Sequence, residues 1–413
     1  MYELPKVDRT RIINTPRGLA ILLAALVAIG PLSVDTYLPS FLDIVDSLQA
    51  TPLQVQQTLT AYLLTATLMT LFHGAISDAV GRRRLLLITV IIYALASLGC
   101  MLAKNVETLW LFRALQGMTA GAGIIVGRAI VRDLYQGPDG QRLVSQIMMI
   151  FAIAPVIAPF LGGWLQSWFG WRAVFAFLLL FSALLAVICW VYLPETLPTF
   201  QRRSLRPRDL VKRYRQVFTS RPFLLICSAL ALNFAGFFLY VVSAPVFLMR
   251  HLQLPSTSFL WLFGPAMSGL LIGSWLAGKL ADLPAVRTIV LGYAVMTLAV
   301  LANLLINLLM APGLPWSVLP LFGFTLGMAL QMPCLTLMAL DLFPEQRGLA
   351  ASCQMFIQSA GNTLVAGILA PLLDGSTLQL AFGMAALMLL GALAAFSHLR
   401  HPQAPRVQVA SWP

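Results

Sequence analysis

Charge is scarce in this chain. Asp, Glu, Lys and Arg make up 10% of its 413 residues, where an ordinary soluble domain carries roughly 25%. Polar faces are missing on nearly every apolar segment, which excludes a large helical protein folded around a water-surrounded core. Short alternating strands are also missing, which excludes a closed membrane barrel. The five cysteines, Cys100, Cys189, Cys227, Cys334 and Cys353, all lie in or at the ends of apolar segments. They lack metal-ligand and disulfide spacing and read as buried, inert thiols. The sequence contains neither a Gly-Lys-Ser/Thr phosphate loop nor a metal-binding cluster. ATP hydrolysis, redox chemistry, a cofactor and a bound metal are therefore not expected. Hydrolase and transferase constellations are missing too, so the chain does not read as an enzyme.

What fills the sequence instead is apolar: 59% of the residues are hydrophobic. They fall into blocks of membrane-spanning length, since a bilayer core about 30 Å thick needs roughly 20 apolar residues per helix. Spans are expected near 18–38, 55–76, 85–103, 108–129, 143–165 and 172–193. A second set follows near 222–248, 258–280, 286–310, 316–340, 347–371 and 378–398. The first is not a signal peptide, because it lacks a clear small-residue cleavage site and eleven spans follow it.

The net charge of +12 invites a nucleic-acid reading, but its distribution argues for topology. With the N-terminus cytoplasmic, 23 Lys and Arg fall on that side: Lys6, Arg9, Arg11, Arg17, Arg82, Arg83, Arg84, Arg128, Arg132, Arg142, the group 202–221, Lys279, Arg287, Arg347, Arg400 and Arg406. Only Lys104, Arg172 and Arg250 fall on the other, and Arg113 lies inside a span. This is the positive-inside pattern. It places both termini in the cytoplasm and assigns the positive charge to topology and anionic lipid.

The longest polar break, 194–221, divides six spans from six. The expected organisation is an N-terminal six-helix bundle (1–193), a cytoplasmic linker (194–221), a C-terminal six-helix bundle (222–398) and a cytoplasmic tail (399–413). The stretch from Pro207 to Val217 reads either as an amphipathic surface helix, with Leu210, Val211, Tyr214 and Val217 inward, or as a plain charged linker. Two six-span halves suggest the internal duplication of secondary transporters. Gly74, Asp78 and Gly81 end span two, and Gly278, Lys279 and Asp282 end span eight at the corresponding place. Gly30–Pro31, Pro155, Pro159, Pro245, Gly264–Pro265 and Pro333 interrupt spans, and such breaks survive only against protein or a cavity.

Two charges lie inside the apolar blocks. Asp35 sits about 7–8 Å below the expected end of span one at Ser40, and Arg113 about 9 Å below the start of span four at Glu107. Charges at such depth face protein or a water-filled cavity. The two either pair across a central cavity or act in sequence on one route. A carboxylate placed so holds a proton when buried and releases it when wetted. The plainer readings are that Asp35 ties down the Pro39 end of its helix and that Arg113 binds backbone carbonyls.

Several motifs now carry a resemblance. Gly74-Ala-Ile-Ser-Asp78-Ala-Val-Gly81-Arg82-Arg83-Arg84 resembles the loop between helices two and three of the major facilitator superfamily. There the aspartate and arginines hold helix ends together in the outward-facing state. The basic residue that often follows the aspartate by two places is missing here, so a thinner network is expected. Arg113-Ala-Leu-Gln-Gly117 resembles the fourth-helix motif, whose arginine is implicated in proton or substrate coupling. Ala154-Pro155-Val-Ile-Ala158-Pro159-Phe-Leu-Gly162-Gly163 resembles the fifth-helix antiporter motif, with Ala158 in place of a glycine. Val34-Asp35-Thr36-Tyr37-Leu38-Pro39, Trp171-Arg172 and Pro194-Glu195-Thr196-Leu197 are similar to the Bcr/CflA branch, the bicyclomycin and chloramphenicol resistance exporters.

The resemblance implies an all-α membrane protein, with twelve transmembrane helices in two six-helix bundles, monomeric, in the bacterial inner membrane. It implies gating by Gly74, Asp78, Gly81, Arg82, Arg83, Pro155, Pro159, Gly162 and Gly163, and proton coupling by Asp35 and Arg113. A substrate would occupy a central cavity. Its candidate walls are Tyr37, Tyr62, Asn233, Tyr240, Phe263, Gln331, Gln354, Gln358 and Asn362. Gln354, Gln358 and Asn362 recur every four residues and share a helix face. Interhelical hydrogen bonding is the plainer reading of each, as it is for Asn303 and Asn307. Such a cavity suits amphiphilic neutral or cationic molecules. The expected function is a proton-coupled antiporter exporting small drug-like molecules. A facilitator or a proton symporter for a small metabolite is the alternative. Partners are such substrates, protons and lipids, without nucleic acid. His73, at the end of span two, reads as a helix-end hydrogen-bond partner or as a group titrating near neutral pH.

Overall fold

The computed structural model describes residues 16–135, 137–202, 207–280 and 282–400, and every regular element among them is helical. Lys6, Arg9, Arg11, Arg203, Arg206 and the tail from 401 to 413 lie outside the described residues. So do the side chains of Arg17, Arg142, Arg208, Leu210, Lys212 and Arg213.

The first six long helices are α1 (Pro16–Asp35), α2 (Pro52–Val80), α3 (Arg82–Met101), α4 (Val106–Leu134), α5 (Gly137–Phe169) and α6 (Arg172–Tyr192). A linker helix, Pro207–Phe218, precedes α7 (Arg221–Val242), α8 (Leu260–Lys279), α9 (Ala285–Leu309), α10 (Leu319–Asp341), α11 (Arg347–Leu364) and α12 (Thr377–Leu399). Eleven helices among the described residues are long and apolar enough to cross a bilayer, and the 33-residue α5 is the twelfth. Their outward surfaces carry Leu95, Leu184, Trp190, Leu298 and Leu389, all exposed. Lipid is the solvent that such side chains tolerate.

Local chemistry explains where helices start and break. Thr51 and Gln54 form a capping box before α2, with Pro52 at the first helical position. Asn105 accepts the Thr108 N–H at 2.9 Å and starts α4, and Ser376 does the same for α12 with Gln379. Several expected spans are composite. Beyond Asp35 the chain continues through a 3₁₀ turn, Leu38–Ser40, and a short helix, Phe41–Ser47, as Pro39 lacks an N–H to extend the ladder. α4 is two segments, Val106–Ala120 and Ala122–Leu134, joined at Gly121. π-helical turns follow α7 at Pro245–His251 and α11 at Val365–Leu369.

The end of the bundle carrying the linker helix is the linker end, and the opposite one is the far end. In the first half α1 packs on α5, α2 on α4 and α3 on α6. In the second, α7 packs on α11, α8 on α10 and α9 on α12. The two patterns superpose when helix n is read as helix n + 6. The halves meet along two seams, α2 with α11 and α5 with α8, which the same relation exchanges. One packing device recurs in both halves. Thr65 Oγ1 of α2 donates to Ala114 O of α4 at 2.8 Å, and a Cβ on Gly117 would strike the Tyr62 carbonyl. Thr325 Oγ1 of α10 donates to Ala266 O of α8 at 2.7 Å, and a Cβ on Gly269 would strike the Phe322 carbonyl. Without a hydrophobic drive between helices in lipid, small residues and such bonds hold them together.

The linker segment is helical, with one departure from its expected faces. Tyr214 turns inward and donates to Leu71 O of α2 at 2.7 Å. Burial pushes the Tyr214 hydroxyl up to about 12, so it keeps the proton it donates. Val217 is buried, but Val211 is 64% exposed. Phe218 packs edge-on against Phe356 of α11 at 5.7 Å, so the linker helix touches both halves.

Candidate functional site

Arg113 is the centre of the first half. It is fully buried, and its guanidinium lies 4.8 Å from the Tyr37 ring centroid and 4.5 Å from that of Tyr62. Two aromatic faces thus clamp one cation, an arrangement worth about 2 kcal/mol or more per face when desolvated. Nη1 donates to Ser33 O at 3.2 Å and to Gln116 Oε1 at 2.8 Å. Nε and Nη2 have no hydrogen-bond partner. Gln116 in turn donates to Ser97 Oγ at 2.8 Å, Ser33 and Tyr93 share a short hydroxyl contact, and Tyr37 and Thr58 bond at 2.7 Å. Ser33, Thr58, Tyr93, Ser97 and Gln116 were not expected members of this site. Gln116 alone had a signal, within the Arg113–Gly117 motif.

Asp35, 6% exposed, ends α1 two residues beyond the Ser33 carbonyl that Arg113 binds. Pairing with Arg113 is not what the structure shows: among the described residues Asp35 makes no ion pair. The reason is geometric. The guanidinium is turned to the α1 backbone and to Gln116, and Tyr62 lies close to both charges. The backbone tie expected as the plainer reading of Arg113 is present, together with two nitrogens, Nε and Nη2, left without a partner.

The expected cavity walls separate into two groups. Tyr37 and Tyr62 belong to the Arg113 clamp. Asn233, Tyr240 and Gln331 are buried inside the second half and make contacts there. Asn233 donates to Tyr293 Oη at 2.9 Å, Tyr240 accepts from Asn303 at 2.8 Å, and Gln331 meets Met296 Sδ at 2.9 Å. Phe263 is likewise buried. Interhelical bonds hold the three polar residues, while Asn233 Oδ1 and Gln331 Oε1 have no partner. On α11, Gln354 donates to Thr336 Oγ1 at 3.3 Å. Gln358 and Asn362 are half-buried, and Asn362 Oδ1 has no partner.

The α2–α3 loop is a dense ion network, not the thinner one expected. Arg82, 4% exposed, bridges Asp78 at 2.5 Å and Asp133 of α4 at 3.2 Å, and also contacts Ser77 Oγ. Its backbone N–H donates to Glu195 at 2.9 Å, and Thr196 donates to Asp133 at 3.0 Å. Arg83 donates to Trp190 O at 2.6 Å. Arg82 fills the role of the missing basic residue, because Asp133 and Glu195 come to it from α4 and from beyond α6. Gly81 has φ +109°, and a Cβ there would overlap the Glu195 carboxylate. Gly81→Ala is expected to lower stability by about 1–3 kcal/mol from backbone strain alone, read as thermal unfolding of the purified protein.

The halves touch at the far end. Gln56 and Gln57 of α2 donate to Ala366 O at 3.2 Å and Gly367 O at 3.0 Å, carbonyls within the π-helical turn of α11. A Cβ on Gly162 would strike Thr36 backbone, and one on Gly163 would come within 2.6 Å of Ser256 O before α8. Pro155 is half-buried and Pro159 buried on the same helix. At the linker end the halves instead enclose a cavity of about 420 Å³, bounded by Gly74 and Asp78, by Ile124, Arg128 and Arg132 of α4, and by Gly348, Ser352 and Met355 of α11.

Comparison with known proteins fits this geometry. The sequence pattern of the Major Facilitator Superfamily matches residues 21–366. Multidrug resistance protein D of Escherichia coli (strain K12) is 30% identical over 358 residues, 86% of this chain and 89% of that one. A bicyclomycin resistance protein homolog of Haemophilus influenzae is 29% identical over 257 residues, 62% of this chain and 65% of that one. In fold, the chain is similar to a bacterial homolog of the human lysosomal transporter Spinster, in an inward-facing and unoccupied conformation. The TM-score is 0.70 at 18% identity, over 93% of this chain and 96% of that one. Twelve helices in two related halves, a buried arginine clamp and these matches together show that the chain belongs to the Major Facilitator Superfamily, in its Bcr/CflA branch, and is a transporter of small substrates, not an enzyme.

Proposed function

We propose that the protein is a proton-coupled antiporter that exports small amphiphilic, drug-like molecules across the bacterial inner membrane, with both termini cytoplasmic. The observation that carries this reading is a buried carboxyl group and a buried guanidinium held apart: among the described residues Asp35 makes no ion pair, and Arg113 keeps two nitrogens without a hydrogen-bond partner. A transporter that needs only a fixed hole has no use for so costly a pair. One that exchanges a proton for a substrate needs a carboxyl group whose surroundings differ between its two states.

With the linker end cytoplasmic, the described arrangement is closed to the outside by the Gln56–Ala366, Gln57–Gly367 and Gly163–Ser256 contacts. Opening the far end lets an external proton reach Asp35, and substrate leaves. Opening the linker end lets substrate enter from the cytoplasm and displace the proton. The Tyr37–Arg113–Tyr62 clamp supports the reading, since it fixes a cation near the carboxyl group while leaving two donors for a transient acceptor. Names of relatives that refer to multidrug and bicyclomycin resistance support the substrate class.

The test is a growth-inhibition panel, including bicyclomycin and chloramphenicol, in a sensitive strain with and without the protein. Proton flux is then measured in proteoliposomes for each compound whose tolerance shifts. Raised tolerance with protons moving opposite to substrate is the expected result. Protons moving with substrate would identify a symporter instead, and substrate movement indifferent to a pH gradient would identify a facilitator.

A further inference from the structure

His73 has no exposed surface, and neither of its ring nitrogens has a hydrogen-bond partner. A neutral imidazole carries one N–H and one lone pair, and burying either without a partner is costly. A leucine or phenylalanine would fill the same space without that cost. In a membrane helix such a group calls for a reason beyond packing.

Its surroundings supply one. The ring faces the backbone of Met118 and lies 3.6 Å from where a Cβ on Gly121 would sit, at the joint between the two segments of α4. It stands on a polar file along the α2–α4 seam. Toward the far end are Thr65, bonded to Ala114 O, and Tyr62 on the Arg113 guanidinium. One turn toward the linker end is Ser77, bonded to Arg82. The next residue, Gly74, lines the linker-end cavity together with Asp78. Between Tyr62 and Asp78, α2 has no other titratable side chain, and between Arg113 and Arg128, α4 has none. α1 has none from Gly18 to Val34. On α11 the titratable groups are Arg347 and the buried Cys353. His73 is therefore the one side chain between Tyr62 and Asp78 of α2, and between Arg113 and Arg128 of α4, that can take up a proton at one atom and release one from another.

We infer that His73 carries protons between the Arg113 cluster and the linker-end cavity, an assignment that rests on the proton-coupled exchange proposed above. The ring accepts a proton at one nitrogen from water that reaches the seam when the Gly121 joint moves. It gives up the proton on the other nitrogen to cavity water and returns to the neutral form with its tautomer exchanged. The packed arrangement, in which no protein group bonds either nitrogen, is the resting phase in which the relay is broken and protons do not leak.

The experiment compares wild type, His73→Gln and His73→Ala in proteoliposomes with radiolabelled chloramphenicol. Two rates are measured from pH 5.5 to 8: pH-driven exchange with its proton flux, and downhill counterflow at equal pH. The expected result is that both variants keep counterflow, while pH-driven exchange falls by about tenfold or more and loses its pH dependence. The two substitutions differ in size and polarity, so a packing defect in one is recognised by the other. A variant whose two rates fall together, or whose pH profile matches wild type, overturns the assignment. Chloramphenicol counterflow without proton flux in the wild type would sink the proposed coupling itself, an outcome distinct from any behaviour of the variants.

Discussion

Asp35→Asn abolishes uphill export while leaving downhill movement in place. That is the expected result with the largest functional effect, and its size follows from the driving force. One pH unit is worth about 1.4 kcal/mol per proton, which supports roughly a tenfold substrate gradient at one-for-one exchange. Asparagine has nearly the shape of a protonated aspartic acid but cannot release a proton. The variant is therefore held in one protonation analogue throughout the cycle, and the accumulation ratio in vesicles collapses to unity. Counterflow at equal pH continues, because the far-end contacts made by Gln56, Gln57 and Gly163 do not involve Asp35. Full uphill export by this variant would show that another group carries the proton. Arg113 offers a companion measurement: Arg113→Lys keeps the charge but loses the planar guanidinium that two rings clamp. It is expected to slow pH-driven exchange more than counterflow.

The second large effect concerns packing that holds the site. Gly117→Ala is expected to destabilise the protein and disable transport together. In an open helix position, Gly→Ala gains up to about 1 kcal/mol. At Gly117 the added methyl would strike the Tyr62 carbonyl and the Thr65 hydroxyl. Backbone cannot swing aside as a flexible side chain does, so α4 must move off α2. Overpacking of this kind costs about 1–3 kcal/mol, and the movement also lifts the Tyr62 ring from Arg113. Thermal unfolding in detergent and vesicle transport both report the change. Gly278→Ala is the control, because nothing lies within 4 Å of its would-be Cβ, and it is expected to be neutral or mildly stabilising. Equal behaviour of the two variants would contradict the close α2–α4 approach.

Much of the architecture was legible in the sequence because lipid imposes one-dimensional rules. Apolar runs of spanning length must be helices, since backbone groups in a bilayer are satisfied only within a helix or a closed barrel. Asp35 and Arg113 stood out because each interrupts such a run. Less legible were the interior breaks. Gly121 joins two segments of α4, and Val365–Leu369 winds as a π-helical turn in α11, yet neither stretch contains a proline. What packs against them comes from another helix: His73 beside Gly121, and the side chains of Gln56 and Gln57 at the α11 turn. The loop network shows the same limit. Arg82 lay beside a gap in the expected motif, while its partners Asp133 and Glu195 are remote in the chain.

The sequence by itself determined the solvent, the helical class, the division into two halves and the short list of polar residues that must face protein. Only the tertiary structure decided what each of those residues meets. Asn233, Tyr240 and Gln331 have the same chemistry on paper as Gln358 and Asn362, but the first three are tied to neighbouring helices and the last two are half-open. Arg113 and Asp35 are expected at similar depth, yet the guanidinium is turned to a carbonyl and to Gln116. The physical reason is that lipid forbids an unsatisfied polar group without specifying its partner. A carbonyl, a hydroxyl, a ring face or a cavity satisfies the rule equally well, and the choice among them depends on how helices distant in sequence pack against one another.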